Sequence, residues 1–172
     1  MEEWRKGWHP ERMKPAASAR KILVVGAGPT GLSAAHRLGL RGYEVALSET
    51  SKELGGRVAR ECRLPGLSAW GRVRDYRQGQ IEKMANVAVY RESKLAADDV
   101  FDLGFSDVAV ATGSTWRRDG VARYHTLPIN IDAGMPVFTP DDVMEGKLPA
   151  GHVVIYDDDH YYMGSVLAEL LI

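Results

Sequence analysis

Lys21-Ile-Leu-Val-Val-Gly-Ala-Gly-Pro-Thr-Gly31 is the stretch on which the reading of this chain turns. Four aliphatic or β-branched residues, Ile22 to Val25, run without interruption into Gly26-Ala27-Gly28-Pro29-Thr30-Gly31. An apolar segment of helical character, Leu32 to Leu40, follows at once. A buried strand, a glycine turn and a helix in that order predict the opening of a dinucleotide-binding unit. Each glycine has its own task. Gly26 permits the sharp turn out of the strand, Gly28 lets a pyrophosphate approach the backbone, and Gly31 allows helix and strand to pack closely. The helix N-terminus beyond them offers free N–H groups and a partial positive charge to phosphate oxygens, and Pro29 and Thr30 of the turn are counted among the expected cofactor-binding residues.

The flanking sequence extends this unit. Gly42 permits a turn into Tyr43 to Glu49, where Tyr43, Val45 and Leu47 alternate as a second strand. Strand, helix and strand within some thirty residues predict a βαβ unit with parallel strands and a right-handed crossover. Glu49 ends the second strand roughly twenty residues beyond the last glycine, where a carboxylate can accept hydrogen bonds from both ribose hydroxyls of an adenosine. It would also repel a 2′-phosphate, which favours ligands of the FAD, NAD or ADP type over NADP.

Leu54-Gly55-Gly56-Arg57 adds a second turn of close approach, with Arg57 available to offset pyrophosphate charge; as an alternative it is simply a loop. Val87 to Tyr90 is a short candidate strand, and Leu67 to Met84 carries apolar residues near helical spacing. Ala96 to Leu103 reads as a short helix stopped by Gly104. Asp107 to Gly113 reads as a buried strand that ends in Ala111-Thr112-Gly113 at the sheet edge where open α/β sheets bind ligands. Trp116 to Val137 is irregular. Thr139-Pro140-Asp141-Asp142 is a helix start with a capping hydroxyl, proline in the first turn and acids at the positive end. His152 to Tyr156 is strand-like, and Tyr161 to Ile172 reads as the helix after it.

The expected fold class is α/β: a three-layer FAD/NAD(P)-binding Rossmann-like domain with a parallel central sheet, followed by the truncated start of a second nucleotide-type domain. The expected divisions are an arm or linker at 1–20, the ADP/FAD-binding domain at 21–150 and a truncated strand and helix at 151–172. In the arm, Trp4 and Trp8 lie four residues apart and are expected to pack on a surface.

Composition limits the alternatives. The 172 residues are 45% apolar and 26% charged, with a net charge of -1, which gives no reason to invoke nucleic acid or an anionic membrane. No apolar run reaches the length of a membrane span and no signal-peptide h-region is present, so the cytoplasm is the default compartment. The single cysteine, Cys62, cannot form an internal disulfide, hold an iron–sulfur cluster or make a structural zinc site. Arg60 and Arg63 flank it, yet it has no base nearby in sequence and is expected to be inert. His36 is expected to pack rather than transfer protons, and His9, His125 and His152 show no ligand spacing. No catalytic residue and no metal site is assigned.

Strand, glycine turn, distal acid, second Gly-Gly and terminal Ala-Thr-Gly together resemble the FAD domain of the two-dinucleotide-domain flavoproteins. Glu2 to Pro10 (EEWRKGWHP), Arg74-Asp75-Tyr76-Arg77, Ala111-Thr112-Gly113 and Asp157 to Met163 (DDDHYYM) narrow the likeness. They resemble the trimethylamine and dimethylamine dehydrogenases, a family that includes histamine dehydrogenase and, more distantly, 2,4-dienoyl-CoA reductase. The resemblance covers essentially the whole chain. It implies an internal piece of a larger enzyme whose missing N-terminal part is a barrel with FMN and a 4Fe-4S cluster. It also implies a homo-oligomer when intact, electron-transfer flavoprotein as electron acceptor, and ADP where reductase relatives hold FAD. The residues carried over are Gly26, Gly28, Gly31 and Glu49, then Gly56, Arg57, Thr112 and Gly113. Asp157-Asp158-Asp159-His160 stands where a nicotinamide-binding domain would place glycines, and three carboxylates there are expected to repel a pyrophosphate. Two other outcomes stay open: an FAD-carrying electron relay, as in the reductase relatives, and a nucleotide-free domain that braces the barrel.

Overall fold

The computed structural model describes residues 5–6 and 13–172. The expectations for Trp4, Trp8 and His9 lie outside these residues. The chain divides into two compact units, one of Met1–Val58 with Arg72–Gly113, the other of Ala59–Gly71 with Ser114–Ile172.

The first unit is built on β1 (Lys21–Val25), β2 (Glu44–Ser48), β3 (Val87–Tyr90) and β4 (Asp107–Val110), in the order β3-β2-β1-β4. All the pairings are parallel, with Val24 opposite Leu47 on one side and Ala109 on the other. This is the expected α/β sheet of a Rossmann-like fold. β1 is central because its run of aliphatics can be buried on both faces: Ile22, Leu23 and Val24 are all buried. β4 lies at an edge and exposes Val110.

Helix α1 (Pro29–Leu40) crosses from β1 to β2. Gly28 caps it in an extended conformation and Pro29 stands in its first turn, where the missing N–H costs nothing. Its buried residues Gly31, Leu32, Ala35, His36 and Gly39 recur at helical spacing and face a core of Val24, Val45, Leu47, Leu54, Ile81 and Val87. The helix ends where Gly42 takes φ +92° and its N–H reaches the carbonyl of Gly39 at 2.9 Å. The amide of Asn86 donates to the carbonyls of Gly39 and Tyr43 at 2.9 and 2.8 Å, tying the end of α1 to the start of β2. Nothing in the sequence pointed to it. Its two acceptors lie more than forty residues away, so only the folded chain brings them together.

The glycine turn after Glu49 runs directly into a short helix, α2 (Arg57–Glu61), that was not expected. The helical spacing of Leu67 to Met84 resolves into a 3-10 turn, Ser68–Trp70, and α3 (Gly71–Ile81). α4 (Ala97–Asp102) precedes β4 as expected.

In the second unit, Leu64, Leu67, Val143, Met163, Val166 and Leu167 form the core, joined by Trp70, Trp116, Met144 and Tyr162. Thr139 caps α5 (Pro140–Met144) as expected: its N–H and hydroxyl both donate to the carboxylate of Asp142 at 2.8 Å. Asp142 also receives Arg118 at 2.7 Å, so its carboxyl is held well below the usual range. α6 (Met163–Leu171) closes the chain. One expectation fails. His152 to Tyr156 forms no strand, because among the described residues no neighbouring strand is present to pair its backbone.

Leu47, fully buried beneath α1, tests the core of the first unit. Leu47→Ala is expected to cost about 2–5 kcal/mol in urea unfolding. Asn86→Ala is expected to cost roughly 1–3 kcal/mol by leaving two carbonyls without their donor.

Candidate functional site

The C-terminal ends of β1 and β2 bring the first glycine turn and Glu49 together. The N–H of Gly26 reaches the carbonyl of Ser48 at 2.7 Å, and that of Ala111 reaches Val25 at 2.8 Å, so the sheet continues one residue past each strand. Gly26 adopts φ +99°, and a Cβ built there would lie 2.5 Å from the carbonyl oxygen of Ala111 and 3.2 Å from Cα of Thr112. A Cβ on Gly31 would collide with the carbonyl oxygen of Gly26. No side chain fits at either position. At Gly28 the result is the opposite, since a Cβ would meet nothing within 4 Å. The fold therefore has no need of glycine at 28, and the backbone there is open to approach.

Glu49 joins this turn through the main chain. Its Oε2 accepts the N–H of Ala27 at 2.7 Å and its Oε1 that of Ser51 at 2.8 Å. Each oxygen keeps a lone pair for a further donor. The carboxylate thus stands beside the glycine turn before any ligand arrives, held by two backbone donors. The loop after β3 supports it. The N–H of Ser93 donates to the carbonyl of Glu49 at 2.8 Å, and the hydroxyl of Ser48 to the carbonyl of Ser93 at 2.6 Å.

The second glycine turn also arrives here. The N–H of Gly55 donates to the carbonyl of Ala27 at 2.8 Å, and a Cβ on Gly56, which has φ +52°, would lie 3.1 Å from Cα of Gly28. Gly26, Gly28, Gly31, Glu49 and Gly56 therefore form one cluster. Pro29 and exposed Thr30 open α1 beside it, and half-buried Arg57 opens α2 directly after Gly56. Thr112 borders Gly26, while Gly113 is exposed with φ +77° and a Cβ built on it would meet nothing within 4 Å. The donor and acceptor set fits an adenine nucleotide: an open backbone at Gly28 for phosphate and a fixed carboxylate for ribose hydroxyls.

The turn before α6 is built differently. Asp157 Oδ1 accepts the N–H groups of Asp159 and His160, both at 3.1 Å, and its Oδ2 would lie 2.5 Å from a Cβ on Gly164. Asp158 is buried and accepts the N–H groups of Tyr124 and His125 at 2.7 and 3.0 Å and Nδ1 of His125 at 2.6 Å. These bonds, His125 first, lower its carboxyl pKa to about 2. Protein carboxylates fill this turn. Their long-range partners at 124 and 125 carry no sequence signal. Among the described residues no group of three or more His, Cys, Asp or Glu side chains gathers as a metal site. Cys62 is half-buried, with its thiol 3.5 Å from the carbonyl of Ala59. His36 is buried edge-on to Tyr76, and burial, then Arg37 and Arg77, push its pKa down.

Such a turn on a parallel sheet defines a nucleotide-binding protein of the Rossmann-like class, and residues 24–79 match the family model described as NAD(P)-binding Rossmann-like domain. The chain is 42% identical to dimethylamine dehydrogenase of Hyphomicrobium sp. (strain x), in an alignment covering 98% of this chain and 24% of that one. Histamine dehydrogenase from Rhizobium sp. 4-9 superposes with a TM-score of 0.92 at 60% identity, over 99% of this chain and 25% of its own. The 6-hydroxypseudooxynicotine amine oxidase from Pseudomonas geniculata N1 gives 0.92 at 51% identity, over 99% and 26%. The chain belongs to the family of the trimethylamine and dimethylamine dehydrogenases, and it spans about a quarter of the length of these relatives.

Gly28→Val is expected to leave circular dichroism and thermal unfolding unchanged while abolishing ADP binding in calorimetry. Gly31→Val should fail to fold. For Asp158, the folded pKa lies below the ordinary value of 3.8, so its contribution to stability is complete above that value and is lost as pH falls toward about 2. In Asp158→Asn the acid-induced loss of stability between about pH 4 and 2 should shrink, as read by fluorescence unfolding.

Proposed function

We propose that this chain is the adenine-nucleotide-binding part, for ADP or FAD, of an amine-oxidising flavoprotein related to trimethylamine and dimethylamine dehydrogenase. The observation that carries the proposal is the pairing of an open Gly28 with a Glu49 carboxylate pinned to the adjacent Ala27 amide. Gly26, Gly28, Pro29, Thr30 and Gly31 would receive the pyrophosphate on backbone and helix N-terminus. Glu49 would accept the ribose hydroxyls, and Gly56 with Arg57 would close over the phosphates. Thr112 and Gly113 would border the ligand at the end of β4.

In this reading the chain supplies binding and position, and no reacting group is assigned within it. Amine oxidation, as N-dealkylation or deamination of a small amine, belongs to FMN held elsewhere in the enzyme. The 4Fe-4S cluster belongs there too, since Cys62 is the chain's one cysteine and such a cluster needs four. Electron-transfer flavoprotein would accept the electrons from a homo-oligomeric enzyme in the cytoplasm. Residues 21–150 would form the nucleotide domain and 151–172 the first part of a second nucleotide-type domain. The internally bonded carboxylates of Asp157 and Asp158 support a second domain without a nicotinamide ligand.

Glu49→Ala should weaken ADP binding by roughly 1–3 kcal/mol, the cost of unpaired polar groups on the ligand. Isothermal titration of the purified chain checks this, and unchanged affinity would remove the ribose contact. Absorbance near ~450 nm in the purified protein, which marks an oxidised flavin, decides for FAD. Release of ADP without that band decides for ADP, and the absence of any titratable nucleotide supports a bracing domain.

A further inference from the structure

An open groove of about 510 Å³ between α1 and α3 shares Pro29 and Thr30 with the proposed nucleotide site and runs on from them along α1. It is lined by Pro29, Thr30, Ser33, Ala34 and Arg37 of α1 and by Arg77 of α3. Residues 30, 33, 34 and 37 fall on one face of α1, so two hydroxyls, a methyl group and an arginine stem form a single stripe. Arg77 faces that stripe with Nη1 fixed to the carbonyl of Val73 at 2.9 Å.

The charges here are uncompensated. Some cations of this unit have acidic partners: Arg20 pairs with Asp107 at 3.4 Å, Lys21 with Glu44 at 3.1 Å, and Arg74 with Glu53 and Asp75 at 2.7 Å. Among the described residues no carboxylate pairs with Arg37 or Arg77, and the first turn of α1 carries no acid. Both guanidiniums act on the neighbouring imidazole of His36, whose pKa is lowered first by burial and then by the charges of Arg37 and Arg77. Two cations aimed at one partly apolar groove, on a chain of net charge -1, form a local feature and not a general basic surface.

We propose that this groove docks an acidic segment of a partner protein. Two side-chain carboxylates of the segment pair with Arg37 and Arg77, a geometry the planar guanidinium takes up with two parallel hydrogen bonds. The hydroxyl of Ser33 serves its polar groups, and an apolar side chain rests on Ala34. A small anion would stay solvated in so open a site. A nucleic acid would need a line of cations tracking its backbone, and two arginines do not provide one.

Fluorescence anisotropy of a fluorescein-labelled peptide of alternating glutamate and leucine, titrated with the 172-residue chain at low salt, tests the proposal. Wild type should bind it and should not bind an alternating lysine and leucine peptide. The R37E/R77E double variant should lose about tenfold or more in affinity, and R37Q/R77Q should lose affinity in the same direction if reversal disturbs folding. Arg123→Glu, a cation in the other unit, should change nothing, and ADP affinity should persist in all these variants. Absent peptide binding, or equal loss in Arg123→Glu, would overturn the groove as a docking site. So would a wild-type dimer in sedimentation that R37E/R77E dissolves, since the groove would then serve a second copy. Loss of ADP binding in Glu49→Ala with peptide binding intact separates this site from the nucleotide site.

Discussion

Helix α1 approaches the turn after β1 so closely that Gly31 has no room for a methyl group, and the segment after β4 leaves none at Gly26. That backbone-on-backbone approach decides the angle at which α1 leaves the sheet, and hence where its first free N–H groups point. The position of Ala111 against Gly26 extends the same constraint to β4, which must end at the level where the turn begins. Three strand ends are thereby drawn into one plane at the C-terminal edge of a parallel sheet, the edge at which such sheets bind ligands. The burial of Leu32 and Ala35 beneath the helix then supplies the apolar surface that makes so close an approach stable.

Glu49 has a place in this arrangement that goes beyond ligand recognition. Its carboxylate spans the backbone from Ala27 to Ser51 and so links the two strand ends across which a nucleotide would lie. A carboxylate already bonded through one lone pair on each oxygen loses little side-chain freedom when a ligand uses the other, and preorganisation of this kind lowers the cost of binding. The turn before α6 shows the alternative use of the same chemistry. There the carboxylates of Asp157 and Asp158 take up the nearby backbone N–H groups themselves. One turn leaves its approach open and the other fills it from within.

Much of this was legible in the residues because local patterns carry it. An unbroken aliphatic run signals a strand buried on both faces, glycine spacing signals a turn with no room for Cβ, and Thr139-Pro140-Asp141-Asp142 signals a capped helix start. Each is decided within a few positions of chain. The His152 to Tyr156 run failed as a strand because β-branched residues only favour extended backbone, and a strand exists only when a neighbour pairs it. Helix α2 carries little local signal because Gly55-Gly56 reads as a loop, and that turn is held against Ala27 and Gly28 of a distant segment.

The amino-acid sequence by itself determined the Rossmann-like class, the glycine turn, the acid at the end of β2 and the family to which they belong. Only the tertiary structure decided that Glu49 is tied to Ala27, that Asn86 joins α1 to β2, that Asp158 holds the loop at Tyr124 and His125, and that Arg37 and Arg77 share a groove. The division has a physical reason. Propensity, capping and steric room at a turn depend on neighbours in the chain. A hydrogen bond between residues twenty to fifty positions apart depends on how elements pack, and the spacing of residues holds no record of that.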